Sequence, residues 1–225
     1  MNTLNSVTSS FAVFFAALAT IIPVSVMAAP AATRSTDGHP MLFGSHEIMS
    51  SKLDKFRKWN DVLARYHAAE AKGFRKCRVS RVNRCQIQKW DAFLKEIASK
   101  PLREQLDAVN SYFNQLQYII DPINYGVKDY WATPIQFVNK NGDCEDYAIS
   151  KYISLRRLGM PVEDLRIVVL RDLNLKVAHA ILVVYYKGQP LVLDNQISQV
   201  ISADRIHHYR PIYSINEQHW WLHRS

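Results

Sequence analysis

The chain of 225 residues contains only three cysteines and seven glycines. Three cysteines cannot build a disulfide-dense small scaffold. They form no CxxC pair, so a zinc site made from them lacks its ordinary ligand spacing. Seven glycines and nine prolines exclude a collagen-like or low-complexity chain. No internal repeat is evident. The apolar run "FAVFFAALATII" has 12 residues, short of the ~18 that a membrane span requires, and no second long run follows it.

Charge is missing in two places. The first 28 residues carry none. Their apolar run leads through Pro23 to "VSVMAAPAA", where Val26 and Ala28 fit a signal-peptidase site. Residues 1–28 are read as a secretory signal peptide and the mature protein as exported. The missing Lys or Arg at the amino end stands against this, and an uncleaved anchor is the alternative. Acids are missing from Lys72 to Trp90, which holds seven basic residues. Such a stripe can bind nucleic acid, but in an exported protein an anionic surface or acidic protein partner is more sensible. A solvated face is an equal reading. Nucleic acid is not expected as a partner.

What is present is enough for one core, since 48% of the residues are hydrophobic. Residues 29–44 read as a flexible mature N-terminus and 45–225 as one domain. From Ser50, Leu53, Phe56, Leu63 and Tyr66 share a helical face that Gly73 ends. Export makes Cys77 and Cys85 a candidate disulfide and leaves Cys144 as a free thiol. A second helix is expected over 86–99, with Ile87, Trp90, Leu94 and Ile97 inward. A third, capped by Ser99, carries Leu102, Leu106, Val109, Phe113 and Leu116. After an irregular, aromatic stretch at 121–140 comes another helix, punctuated by Gly159 and Pro161. Then the period shortens: "LRIVVLRD", "AHAILVVYY" and "PLVLDNQ" are strands, and "KGQP" is a hairpin turn. Helices first and strands later give an α+β fold with an antiparallel sheet.

The stretch "NGDCEDYA" places Cys144 among Asp143, Glu145 and Asp146. Three carboxylates should raise a thiol pKa, whereas the start of the helix beginning here should lower it. A nucleophilic thiolate also needs a base and a group that orients the base. His179 opens an otherwise apolar strand and Asp194 ends the next. If the hairpin turns at Lys187–Gly188, Tyr186 pairs with Gln189 and Asp194 falls opposite Ile181. His179 shares Ile181's face, so the two side chains are diagonal neighbours, roughly 7–8 Å apart at the backbone. A one-residue slip would separate them. Cys144, His179 and Asp194 then form a candidate acyl-transfer triad.

"DYWATP", "GDCEDYAISKY", "AHAIL" and "LVLDN", in this order, resemble the bacterial transglutaminase-like cysteine peptidases of the LapG type, from about residue 50 onward. The resemblance implies a papain/transglutaminase-like core with Cys144 as nucleophile, His179 as base and Asp194 as orienting acid. It implies a calcium-dependent periplasmic endopeptidase that cuts a large surface adhesin after paired alanines near its N-terminus, promoting biofilm dispersal. It also implies sequestration by an inner-membrane receptor that senses cyclic di-GMP. Asp143, Glu145 and Asp146 are the implied calcium ligands, oxygen donors suited to a hard cation. Asp129 is a further candidate, and carbonyls of the 121–130 loop would help to complete ~6–8 ligands. A bound dication would offset the carboxylates around the thiol. Cys144 N–H is the natural oxyanion donor, and Trp131 is read either as a second contributor or as a packed aromatic beside the cleft. The rival readings are a transglutaminase or amidase acting on glutamine side chains, with the same triad, and a non-catalytic periplasmic binding module.

Overall fold

The computed structural model describes residues 34–73, 78 and 85–224. The expected signal peptide 1–28, Cys77 and most of the basic stripe lie outside the described residues. Three amphipathic helices come first: α1 (Arg57–Ala71), α2 (Gln86–Ile97) and α3 (Leu102–Asn114). Each buries apolar residues three or four apart, the spacing of one helical face. These are Trp59, Val62 and Tyr66 in α1, Trp90, Leu94 and Ile97 in α2, and Leu106, Val109 and Phe113 in α3. Gly73 follows α1 at φ +71°, a left-handed turn that suits glycine. Two boundaries differ from expectation. Leu53 and Phe56 pack on the core, but they precede α1, with Phe56 at its N-cap position. Pro101, not Ser99, takes the N-cap position of α3, because its extended backbone (ψ 143°) already turns the chain into the helix.

Two short helices follow, α4 (Asp121–Asn124) and α5 (Pro134–Lys140), and then α6 (Cys144–Arg157). All residues of α6 from Asp146 to Leu155 are buried, so it is the central helix, packed on α3, α5 and the sheet. The strands are β1 (His46–Ser50), β2 (Leu165–Asp172), β3 (Val177–Tyr186), β4 (Gln189–Leu193), β5 (Ile201–Ser202), β6 (Tyr209–Ile215) and β7 (Trp220–Arg224). They form one antiparallel sheet in the order β1-β7-β6-β2-β3-β4-β5. The fold is α+β as expected, but the sheet is larger than the three expected strands: β5, β6 and β7 extend it, and β1, from the N-terminal part, pairs along β7. Among the described residues no helix is long and apolar enough to cross a membrane.

The two faces of the sheet are covered differently. Ile167, Leu182, Val184, Leu191 and Leu193 meet the helices. Val168, Ile181, Val183 and Val192 lie in a second cluster with Leu42, Ala203 and Ile206. Residues 34–44, expected to be flexible, are therefore packed. Leu42 is fully buried, and His39 stacks on Tyr185 with ring centroids 4.1 Å apart. The anchor is Arg166, fully buried on β2. Its Nη1 donates to Glu47 Oε2 at 2.6 Å, its Nη2 bonds Asp37, and its guanidinium lies over Trp221. Glu47 Oε1 accepts the Leu42 N–H at 2.8 Å, so one buried carboxylate ties the segment to the sheet.

Removing one partner of a buried ion pair leaves the other charge desolvated. Glu47→Leu is expected to lower stability by about 3 kcal/mol in urea unfolding. An unchanged midpoint would mean that the segment is not bound in solution.

Candidate active site

A tight turn delivers Cys144 to the first position of α6. Asn141 takes a positive φ of 63°, and Asp143 occupies the N-cap position. Gly142 is required for space: a Cβ there would lie 2.0 Å from Asp146 Oδ2. Asp146 is fully buried and folds back over the helix start. Its Oδ2 accepts the Asp143 N–H at 3.3 Å and its Oδ1 the Ala132 N–H at 2.6 Å. One carboxylate thus fixes the nucleophile turn and the segment carrying Trp131.

The Cys144 thiol is half-buried and donates to Glu145 Oε2 at 3.1 Å. Burial raises its pKa well above the ordinary thiol value, and Glu145 and Asp143 raise it further. The Ala180 backbone N–H, bonded to the sulfur, works the other way. The helix start is outweighed, so with the carboxylates uncompensated this cysteine is a thiol.

His179 and Asp194 meet as the hairpin register requires. Tyr186 pairs with Gln189, and the ladder runs to Leu182–Leu193. Asp194 follows directly, and its Oδ1 is 2.9 Å from His179 Nε2. The same oxygen accepts the Gln196 N–H at 2.9 Å, and Oδ2 accepts the Tyr209 hydroxyl at 2.6 Å. Burial opposes ionisation of Asp194, yet the His179 contact and these hydrogen bonds hold its carboxyl below the ordinary range. Tyr209 escaped the sequence reading. It sits on β6, and its approach to Asp194 depends on tertiary packing that no local pattern encodes.

Cys144, His179, Tyr118, Trp131, Ala178 and Ala180 line one cleft of about 330 Å³. Trp131 is packed and lies beside the cleft. It packs edge-on against Trp59 at 6.4 Å, its carbonyl accepts from Arg65 Nη2 at 2.6 Å, and it borders the cleft.

Beside the thiol five carboxylates gather. Asp121, Asp129 and Glu145 have oxygens within 4.8 Å of one another, as do Asp121, Asp143 and Asp146. Asp121, which the sequence reading left inside an irregular loop, belongs to both groups. A parallel bridge between Tyr118 and Gly142 carries it in, and its N–H donates to Asp143 Oδ2 at 3.3 Å. Asp121 Oδ1 and Asp143 Oδ1 are buried without a hydrogen-bond partner, which a carboxylate tolerates only beside a cation or when protonated. Asp129 bonds Lys58. Both Asp146 oxygens already accept backbone N–H groups, so Asp146 holds the turn before it holds any ion. Burial, with Glu145 next, pushes Asp143 up to about 9. Burial, with the carboxylates of Glu145 and Asp121, pushes Asp146 up to about 8 against its two N–H bonds. An all-oxygen, acid-rich donor set with orphaned buried oxygens fits a hard divalent cation.

The family model for bacterial transglutaminase-like cysteine proteinases matches residues 66–223. The chain belongs to this family. Solved structures of Legionella pneumophila LapG are similar. One is 34% identical with a TM-score of 0.58, covering 72% of this chain and 87% of that one. The calcium-bound form is 32% identical with a TM-score of 0.58, covering 72% and 86%. The EGTA-treated form is 34% identical with a TM-score of 0.59, covering 73% and 86%. No curated protein matches. Among the described residues Cys144 is the free cysteine and Cys85 is disulfide-bonded. Cys77, expected as its partner, lies outside them.

Two measurements test this arrangement. Asp143 and Asp146 are raised from an ordinary 3.8, so the fold favours their protonated forms. Their contribution to stability in chelator is full below 3.8 and lost as pH rises through about 8 to 9. Saturating Ca²⁺ is expected to flatten that loss in urea midpoints taken across the same range. A flat profile in chelator would contradict the clustering. Separately, Gly142→Ala must displace Asp146 and is expected to cost about 1–3 kcal/mol. Wild-type stability in that variant would show that the turn opens freely.

Proposed function

We propose that the protein is a calcium-dependent periplasmic cysteine endopeptidase using Cys144, His179 and Asp194. The observation that carries this reading is the His179–Asp194 hydrogen bond, in the cleft where Cys144 begins a helix. Asp194 accepts from Nε2, which turns Nδ1 into the free basic nitrogen. His179 Nδ1 takes the thiol proton, and the sulfur attacks the peptide carbonyl. The oxyanion is met by the Cys144 N–H, one of the unpaired donors of a first helical turn. As the C–N bond breaks, the imidazolium returns its proton to the departing amine. A water deprotonated by His179 then hydrolyses the thioester and restores the thiol.

Asp121, Asp143, Glu145 and Asp129 would hold the calcium ion. Bound there, Ca²⁺ supplies positive charge that offsets the carboxylates around Cys144. Glu145 belongs to both sites, accepting from the thiol and standing in the acidic cluster. Its carboxylate adds to burial in holding the thiol pKa up when no cation engages it. Similarity to a calcium-bound LapG supports the choice of ion. The substrate follows from the same family likeness: the N-terminal region of a large surface adhesin, cut at paired alanines with release of the adhesin and biofilm dispersal. An inner-membrane cyclic di-GMP receptor that sequesters the protease follows too, as does export by residues 1–28.

Cleavage of a candidate adhesin N-terminal fragment tests the reading. Cys144→Ala and His179→Ala are expected to abolish new N-termini, and chelator to do so reversibly. Asp194→Asn is expected to lose about 10⁴-fold in kcat. In chelator, Glu145→Gln is expected to speed iodoacetamide alkylation of Cys144. Cleavage by Cys144→Ala would end the cysteine-protease reading, and full activity in chelator would end the calcium role.

A further inference from the structure

The side chain of Asp194 is held by His179 and Tyr209, but its backbone is held from elsewhere. Asp194 begins the irregular segment that leaves β4. Asn114, at the end of α3, donates its Nδ2 to Asp194 O at 2.7 Å and lies 3.4 Å from Ile197 O. One turn earlier, Asn110 Nδ2 reaches Ile197 O at 3.3 Å and Ser198 O at 3.1 Å. Asn110 Oδ1 in turn accepts from Lys151 Nζ at 2.8 Å. Lys151 stands on α6, seven residues after Cys144 and so on the same face two turns along. The chain of contacts therefore runs from the helix that carries the thiol, through α3, to the segment that carries the acid.

The burial of this chain is unusual. Asn110 is 1% exposed and Lys151 0%. A buried ammonium costs several kcal/mol unless it is well paired. Among the described residues Lys151 forms no ion pair, and its hydrogen-bond partner is the neutral Asn110 amide. A methionine would fill the same space without that cost. Burial lowers its pKa to about 7, and the Asp194 carboxylate is the charge that works against that fall. The other contact of Lys151 is the Tyr147 ring, 5.8 Å from Nζ, so among the described residues Lys151 is held by neutral groups alone, one of which leads to the Asp194 segment.

We propose that Lys151, Asn110 and Asn114 are positioning residues of the active site. They set the placement of the Asp194 segment relative to α6, through the hydrogen bonds from Lys151 to Asn110 and from Asn110 and Asn114 to the backbone of Asp194, Ile197 and Ser198. This rests on the reading of Asp194 as the acid that orients His179. None of the three touches the reacting atoms. They act through Asp194, whose ionised carboxylate stabilises the imidazolium and, through it, the Cys144 thiolate.

The test is a double-mutant cycle on thiolate formation, read without any substrate. The second-order rate of Cys144 alkylation by iodoacetamide is measured in calcium-loaded protein for Lys151→Met, Asp194→Asn and the double variant, with urea midpoints for each. Lys151→Met is expected to slow alkylation about tenfold with stability unchanged or raised, and to add nothing in the Asp194→Asn background. Asn114→Leu gives a second arm, with the same direction and the same non-additivity, should Lys151→Met fail to fold. Wild-type alkylation in the single variants, or effects that simply multiply with Asp194→Asn, would overturn the proposal. Wild-type alkylation in Asp194→Asn itself would instead overturn the reading of Asp194, so the two failures are distinguishable.

Discussion

Everything around the active site depends on how α6 can start. A helix start presents unpaired N–H groups and a positive dipole end, and this one is buried among five carboxylates. Asp143 and Asp146 cap it, Gly142 makes room for Asp146, and Asp146 reaches across to the Trp131 segment. The helix start is thus joined to the cleft wall by one side chain. Burial, Glu145 and one of the acids that secure the turn, Asp143, oppose ionisation of the thiol presented there. A site built this way is stable when protonated or cation-loaded and chemically dull otherwise.

Half of the candidate triad's geometry is legible in the sequence because antiparallel pairing is arithmetic. Once Lys187–Gly188 is taken as the turn, each pair in the ladder follows, and His179 and Asp194 come together. Hydrophobic spacing likewise reveals α2 and the buried faces of α1 and α3. What stayed hidden needs contacts between distant segments. Tyr209 reaches Asp194 through tertiary packing, and Asp121 reaches the helix start through a bridge of 24 residues' separation, from Tyr118 to Gly142. Neither lies in a motif. Residues 29–44 read as a flexible terminus, yet Asp37 within them and Glu47 on β1 both meet Arg166 inside the protein.

The two sides of the hairpin illustrate the same division. The helix-facing residues of β3 and β4 are ordinary aliphatics, interchangeable within the limits of volume. The opposite register positions carry His179 and Asp194, where the hydrogen bond sets identity as well as size. Buried charge is concentrated where the sheet meets α6, at the segment after β4 and at the Arg166–Glu47 pair, and the helix-facing aliphatics between them are held by dispersion and apolar burial.

The pairing of β1 with β7 has a consequence for the life of the chain in a crowded compartment. A sheet edge is a template for foreign strands. Here one edge strand is β5, only two residues long, and the other is β1, which covers β7 along all five of its own residues. Proteolysis between the Arg166-bound segment and α1 would uncover β7, with its Trp220, Trp221 and Leu222, as an unpaired edge. The nicked protein would meet its first hazard as self-association through that edge, ahead of any loss at the catalytic centre.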